Sequence, residues 1–166
     1  STTTLGNVEV NRRVTAAFEA IVKTLNDAGK LANFKVDAGP ENIGVDVNKD
    51  DIVNSIVSLI ESRGDVVGAF AANAFVTPAL GDAIAQLNLN GKVCAFGFDL
   101  GPKQQELIKS DALTGSLGQQ PFLQGFWPVA QLYLQIDRGV QAADLDTKAQ
   151  LVTKENVDQV GKRFEN

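Results

Sequence analysis

The sequence predicts an α/β protein on a doubly wound parallel sheet, and three observations predict it. Asp65 to Ala72 and Lys92 to Phe98 are apolar almost throughout, which is how strands covered on both faces of a parallel sheet read. Segments with helical spacing alternate with such runs at roughly 20 to 30 residues per unit, which calls for right-handed crossovers between parallel strands. A length of 166 residues fits one domain with a sizeable core.

The elements follow in chain order. Ser1 to Asn11 is polar and β-branched and reads as a loop or frayed strand. From Arg12 to Asn26, apolar residues at Val14, Ala17, Phe18, Ile21, Val22 and Leu25 mark one face of a helix, with Gly29 as its stop. Phe34 to Val36 reads as a brief strand, and the loop from Ala38 to Asn48 carries Gly39, Pro40 and Gly44. Asp50 or Asp51 caps a helix with Ile52, Val53, Ile56, Val57, Leu59 and Ile60 inward, ending near Gly64. After the strand ending at Ala72, a helix from about Thr77 to Asn88 tolerates Pro78 in its first turn. The strand Lys92 to Phe98 leads into a short helix from Gly101-Pro102 to about Lys109. Leu113 to Gly118 is a strand, Pro121 to Gly139 a helix, and Thr147 to Val152 a closing strand.

Composition narrows the function classes. The chain is 44% apolar with no run approaching a membrane span, and its formal charge is −5. Lys and Arg are scattered, so the clustered cations that nucleic-acid binding needs are missing. Cys94, the single cysteine, lies in an apolar run and reads as a small buried hydrophobe. The chain has no His, and none of the nucleophile-elbow, phosphate-loop or dinucleotide patterns occurs. The run Asp46 to Asp50 imitates the start of a calcium loop, but Asp51 stands where that loop needs Gly and Val57 where it needs Glu. No metal, cofactor or catalytic residue is expected. A small enzyme or phosphoacceptor domain using Asp99 would lack a partner base.

Three polar residues remain, each directly after a strand: Asn73, Asp99 and Gln119. Singly, each reads as a helix cap or turn former. Together they lie on the sheet edge where open α/β sheets bind ligands, and a carboxylate with two amides suits a ligand rich in hydroxyls.

The stretch Lys92 to Gln131 resembles the type I periplasmic sugar-binding proteins, the ribose-binding-like solute receptors of ABC transporters. The resemblance rests on Gly97-Phe98-Asp99, the passage from Ile108 to Leu113, Gln119-Gln120-Pro121 with Gly125, and the ending Leu151 to Val157, and it extends from about Arg13 to Asn156. It implies one lobe of a two-lobe protein about twice as long. Residues 1–119 would be the carboxyl-terminal lobe, and 120–166 the final helix and strand that pack on, or cross back from, a missing amino-terminal lobe. It also implies that the first strand of this lobe precedes Ser1, leaving the sheet short of a member or borrowing one.

The resemblance assigns ligand contacts to Asn73, Asp99, Gln119 and Arg13, with Arg12 the alternative to Arg13. Val47 stands where many relatives place an aromatic residue that stacks on the sugar. The implied partners are a monosaccharide or similar polyol and a membrane permease, and the implied location is periplasmic. Trp127 and Phe126 would be packing residues, exposed in this piece and open to dimerisation. The alternative within the same fold is the effector-binding core of a lac-repressor-type regulator. Half of a divided site would hold sugar only in the millimolar range, since a micromolar complex needs about 8 kcal/mol net.

Overall fold

The computed structural model describes residues 8–36 and 48–161. In order, they form α1 (Val8–Asp27), a single 3-10 turn (Leu31–Asn33), α2 (Lys49–Arg63), β1 (Gly68–Phe70), α3 (Val76–Gln86), β2 (Cys94–Phe98), α4 (Pro102–Lys109), β3 (Gly115–Gly118), α5 (Pro121–Arg138), β4 (Gln150–Thr153) and α6 (Val157–Gly161). The sheet runs β1-β2-β3-β4. β1, β2 and β3 are parallel, in the registers Phe70 opposite Phe96 and Gly97 opposite Ser116. β4 is antiparallel to β3, with Val152 opposite Ser116 and Gln150 opposite Gly118. The predicted α/β fold with a mainly parallel sheet is therefore the one observed.

The core is one-sided. Ile52, Ile56 and Ile60 of α2, Leu80 and Ile84 of α3, Leu107 and Ile108 of α4 and Val157 and Val160 of α6 join Val93, Ala95, Leu113 and Val152 in one cluster. Burial of each large aliphatic side chain stabilises the fold by roughly 1.5–3 kcal/mol. Because side chains alternate along a strand, Cys94, Phe96 and Phe98 face the other way from Ala95 and Gly97. That second face is only partly covered: Phe96 and Phe98 are half-buried, and Cys94 is exposed. The expectation of a buried cysteine is thus corrected. A continuous apolar run signalled two covered faces, whereas the helices of the core cover one.

Several local expectations change for physical reasons. α1 begins at Val8, so residues 8–11 are helical rather than frayed strand, and its apolar face is half-buried with only Val10 deeply covered. Phe34 to Val36 is not a strand; Phe34 is extended, but no neighbouring strand pairs with this segment among the described residues. Asn48, not Asp50 or Asp51, caps α2 by accepting from Asp51 N at 3.0 Å, which leaves both aspartates in the first turn where the helix dipole favours them. Gly64 closes α2 at φ 70, the left-handed conformation that glycine adopts without strain. α6 went unpredicted. No side chain of α5 is buried, and its apolar residues Phe122, Phe126, Trp127, Val129, Tyr133 and Ile136 stand exposed.

Beyond the ladder, Gln120 donates from Nε2 to Thr147 O at 2.6 Å, linking the segment leaving β3 to the one returning into β4. Asp82 of α3 pairs with Lys49 of α2 at 2.5 Å and Lys103 of α4 at 3.1 Å. One carboxylate so ties three helices together.

Candidate functional site

Three strand ends and one helix build the site. β2 ends at Phe98 and β3 at Gly118, so Asp99 and Gln119 emerge side by side at the carboxyl edge of the sheet. α1 brings Arg13 against them. Arg13 Nη2 donates to Gln119 Oε1 at 3.1 Å, and Gln119 Nε2 in turn donates to Asp99 Oδ1. Arg13 Nη1 also donates to Ala72 O at 3.4 Å, and its guanidinium carbon lies 4.0 Å from the centroid of the Phe98 ring. Stacking of this kind fixes the plane of a guanidinium and contributes about 0.5–1 kcal/mol at exposed sites. Arg12 points elsewhere, into an exposed pair with Glu9 at 2.8 Å. The structure therefore brings Arg13, Gln119 and Asp99 into one chain of hydrogen bonds and leaves Arg12 out of it.

Asn73 is placed differently. It is buried, and its Oδ1 accepts from Phe75 N and Val76 N, each at 3.0 Å, so its side-chain oxygen caps the start of α3. It adjoins Ala72, whose carbonyl receives Arg13, and so borders the site through the backbone. Val47 and Asp46, the first two residues of the calcium-like run, lie outside the described residues. Among the described residues no cluster of His, Cys, Asp and Glu could hold a metal ion.

Two buried hydroxyls that the sequence did not single out hold the edge together. Thr77 donates from its hydroxyl to Asn73 O at 2.7 Å and accepts from Phe98 N at 2.9 Å, stitching the start of α3 to the end of β2. Ser116 on β3 donates to Asp99 O. The available signal was Ser116 itself, a hydroxyl between Gly115 and Leu117 in an apolar strand, where burial costs stability unless a partner is present.

Backbone conformation is unusual at the same edge. Asp99 has φ 67 and Gln120 φ 56, both in the left-handed region that side-chain-bearing residues rarely occupy. Such conformations persist where surrounding contacts over-determine them, and they concentrate at functional sites. The side chains of Arg13, Asp99 and Gln119 are half-buried, so the site is a partly open wall. Two shallow hollows lie away from it, one along α1 between Val8 and Glu19, the other around Gly91 and Asp111.

Comparison with known proteins gives this wall a setting. The family model described as periplasmic binding protein domain matches residues 5–139. A curated relative, the xylose/arabinose-binding protein of Sulfolobus acidocaldarius, is 32% identical over 114 residues, covering 64% of this chain and 28% of that protein. Among solved structures, the fold is similar to an ABC transporter solute-binding protein of Burkholderia graminis C4D1M in complex with D-arabinose, at TM-score 0.63 and 21% identity over 90% of this chain and 61% of that one. It is also similar to one from Agrobacterium vitis with bound D-fucose, at TM-score 0.62 and 20% identity over 93% and 61%. The chain thus spans less than a third of the curated relative and under two thirds of these solved chains. With the family model matched across most of its length, the chain belongs to the periplasmic binding protein domain family and has its type I fold.

Proposed function

We propose that this chain is the sugar-binding part of a solute receptor for an ABC transporter, holding a monosaccharide or similar polyol without catalysis. The observation that carries the reading is the connected set Arg13, Gln119 and Asp99 at the carboxyl edge of the sheet. A guanidinium that only donates, a carboxylate that only accepts and an amide that does both match the neighbouring hydroxyls of a sugar, each of which donates and accepts. Asn73 completes the wall from its place at the start of α3. The name of the curated relative and the pentose and deoxyhexose in the solved structures support this ligand class.

In this reading residues 1–119 form the carboxyl-terminal lobe, and within 120–166 helix α5 serves a second lobe that supplies the opposite wall, while β4 and α6 return to the sheet and core of this one. Closure of the two lobes on a sugar is a population shift driven by contacts made only in the closed state. The receptor works in the periplasm and hands its sugar to a membrane permease.

Calorimetry on the full-length protein with D-xylose, L-arabinose, D-arabinose and D-fucose tests the proposal. Micromolar binding of at least one sugar, weakened tenfold or more by Asp99→Ala, is the expected result. Absence of binding to any of them at millimolar concentration would sink it.

A further inference from the structure

We propose that Ser116 is a positioning residue for the sugar site, holding Asp99 in the backbone conformation that sets its carboxylate against Gln119; the inference rests on the receptor reading above. Ser116 is fully buried. Its strand neighbours are Gly97 and Val152, so it occupies a place where an apolar residue would cost nothing and an unpartnered hydroxyl would be expensive. The partner it takes is the carbonyl of Asp99. The next residue, Leu117, accepts from Asp99 N at 2.8 Å. Both backbone polar groups of Asp99 are therefore pinned by consecutive residues of β3.

The pinned conformation is the costly one. Asp99 sits at φ 67, a left-handed conformation that aspartate visits more readily than most residues with a Cβ but that still costs more than extended backbone. Removal of the Ser116 hydroxyl leaves the Asp99 carbonyl without that donor and frees the residue to relax toward extended backbone. Relaxation turns the side chain away from Gln119, and the acceptor presented to the sugar moves with it. Ser116 touches no ligand in this scheme; it acts through Asp99.

A double-mutant cycle on the full-length protein separates this role from general support of the fold. Wild type, Ser116→Ala, Asp99→Ala and the double variant are titrated with D-xylose, L-arabinose, D-arabinose and D-fucose, and their melting temperatures are recorded. Ser116→Ala is expected to weaken binding tenfold or more when Asp99 is present and less than threefold when it is alanine, with the same loss of melting temperature in both backgrounds. Equal weakening in both backgrounds, or unchanged affinity, overturns the proposal.

A crystal structure of Ser116→Ala and the carboxyl 13C resonance of Asp99 give a readout independent of sugar. Departure of Asp99 from the left-handed region with a shifted resonance supports positioning even if wild type binds none of the four sugars, an outcome that removes only the receptor reading. Retention of φ near 67 and of the Gln119 contact overturns it. Should the alanine variant fail to fold, Ser116→Cys, similar in size with a much weaker donor, is read by the same measurements.

Discussion

Gly97 of β2 and Thr77 of α3 are in such close apposition that a Cβ on the glycine would lie 2.0 Å from the threonine Cγ2 and 2.7 Å from its Oγ1. Glycine at this position lets the helix start reach the strand end, where the Thr77 hydroxyl bonds Phe98 N and Asn73 O. Gly97→Ala is expected to destabilise the protein by about 3 kcal/mol, the upper end of ordinary overpacking costs. Thr77→Ser in the same chain removes the methyl but not the hydroxyl and should recover only part of that loss. Urea denaturation of wild type, Gly97→Ala and the double variant checks both statements.

Arg13 and Arg12 are neighbours in sequence with opposite expected behaviour. Loss of a hydrogen bond to a charged group costs about 1.5–3 kcal/mol. Arg13→Ala should thus weaken sugar binding by roughly 10- to 100-fold. Arg12→Ala, which removes only an exposed pair with Glu9, should leave affinity within twofold. Calorimetry on the full-length protein decides, and equal effects of the two substitutions would count against the wall described here.

Asp82 should make stability depend on acid. Burial raises its pKa, but hydrogen bonds and charges from Lys49 and Lys103 outweigh that and bring it below the ordinary aspartate value of about 3.8. A carboxyl with a lowered folded-state pKa stabilises the protein above its unfolded-state value and loses that contribution as pH falls through the folded-state one. Asp82→Asn is expected to cost about 0.5–1 kcal/mol at pH 7, as befits a partly exposed ion pair. The gap should stay constant down to about pH 5 and close as acid protonates the wild-type carboxyl. Urea melts of both proteins at pH 7, 5 and 3 measure it.

Ile108 is fully buried, whereas Phe122 and Ile136 are 76% and 77% exposed. Ile108→Ala should cost about 2–5 kcal/mol in the 166-residue chain. Phe122→Ser and Ile136→Ser should stay within about 0.5 kcal/mol of wild type there. In the full-length protein the same two serine substitutions should become costly, by more than about 1 kcal/mol, if the second lobe covers α5. Comparative thermal unfolding of the two lengths tests that division of the chain.

The elements most legible in the sequence were those with enough length to show a period. α2, α3, α4 and α5 and strands β2 and β3 lie where apolar spacing and the Gly and Pro signals put them. Short segments gave less: Val157–Gly161 is too brief for a helical period, and Phe34 to Val36 has strand composition but no ladder. The antiparallel direction of β4 is set by where the chain returns, which local composition does not encode. Exposure of Cys94 was hidden for a similar reason, since apolarity marks what can be buried and not whether a partner layer is present. At the site, strand ends located Asp99 and Gln119, and Arg13 came from the family resemblance. Ser116 and Thr77 were missed because a hydroxyl that serves a distant carbonyl reads like any other small polar residue.

Gly118 and Gln150 face one another in the ladder, so everything between them leaves the sheet and returns to it at a single point. Two adjacent strands, with Gln120 fastened to Thr147 just beyond, form the tether of α5. Gln119 lies on the outgoing tether and holds Arg13 and Asp99 with its two amide atoms. Any change in the direction of that strand therefore acts first on an amide already engaged by a guanidinium on one side and a carboxylate on the other.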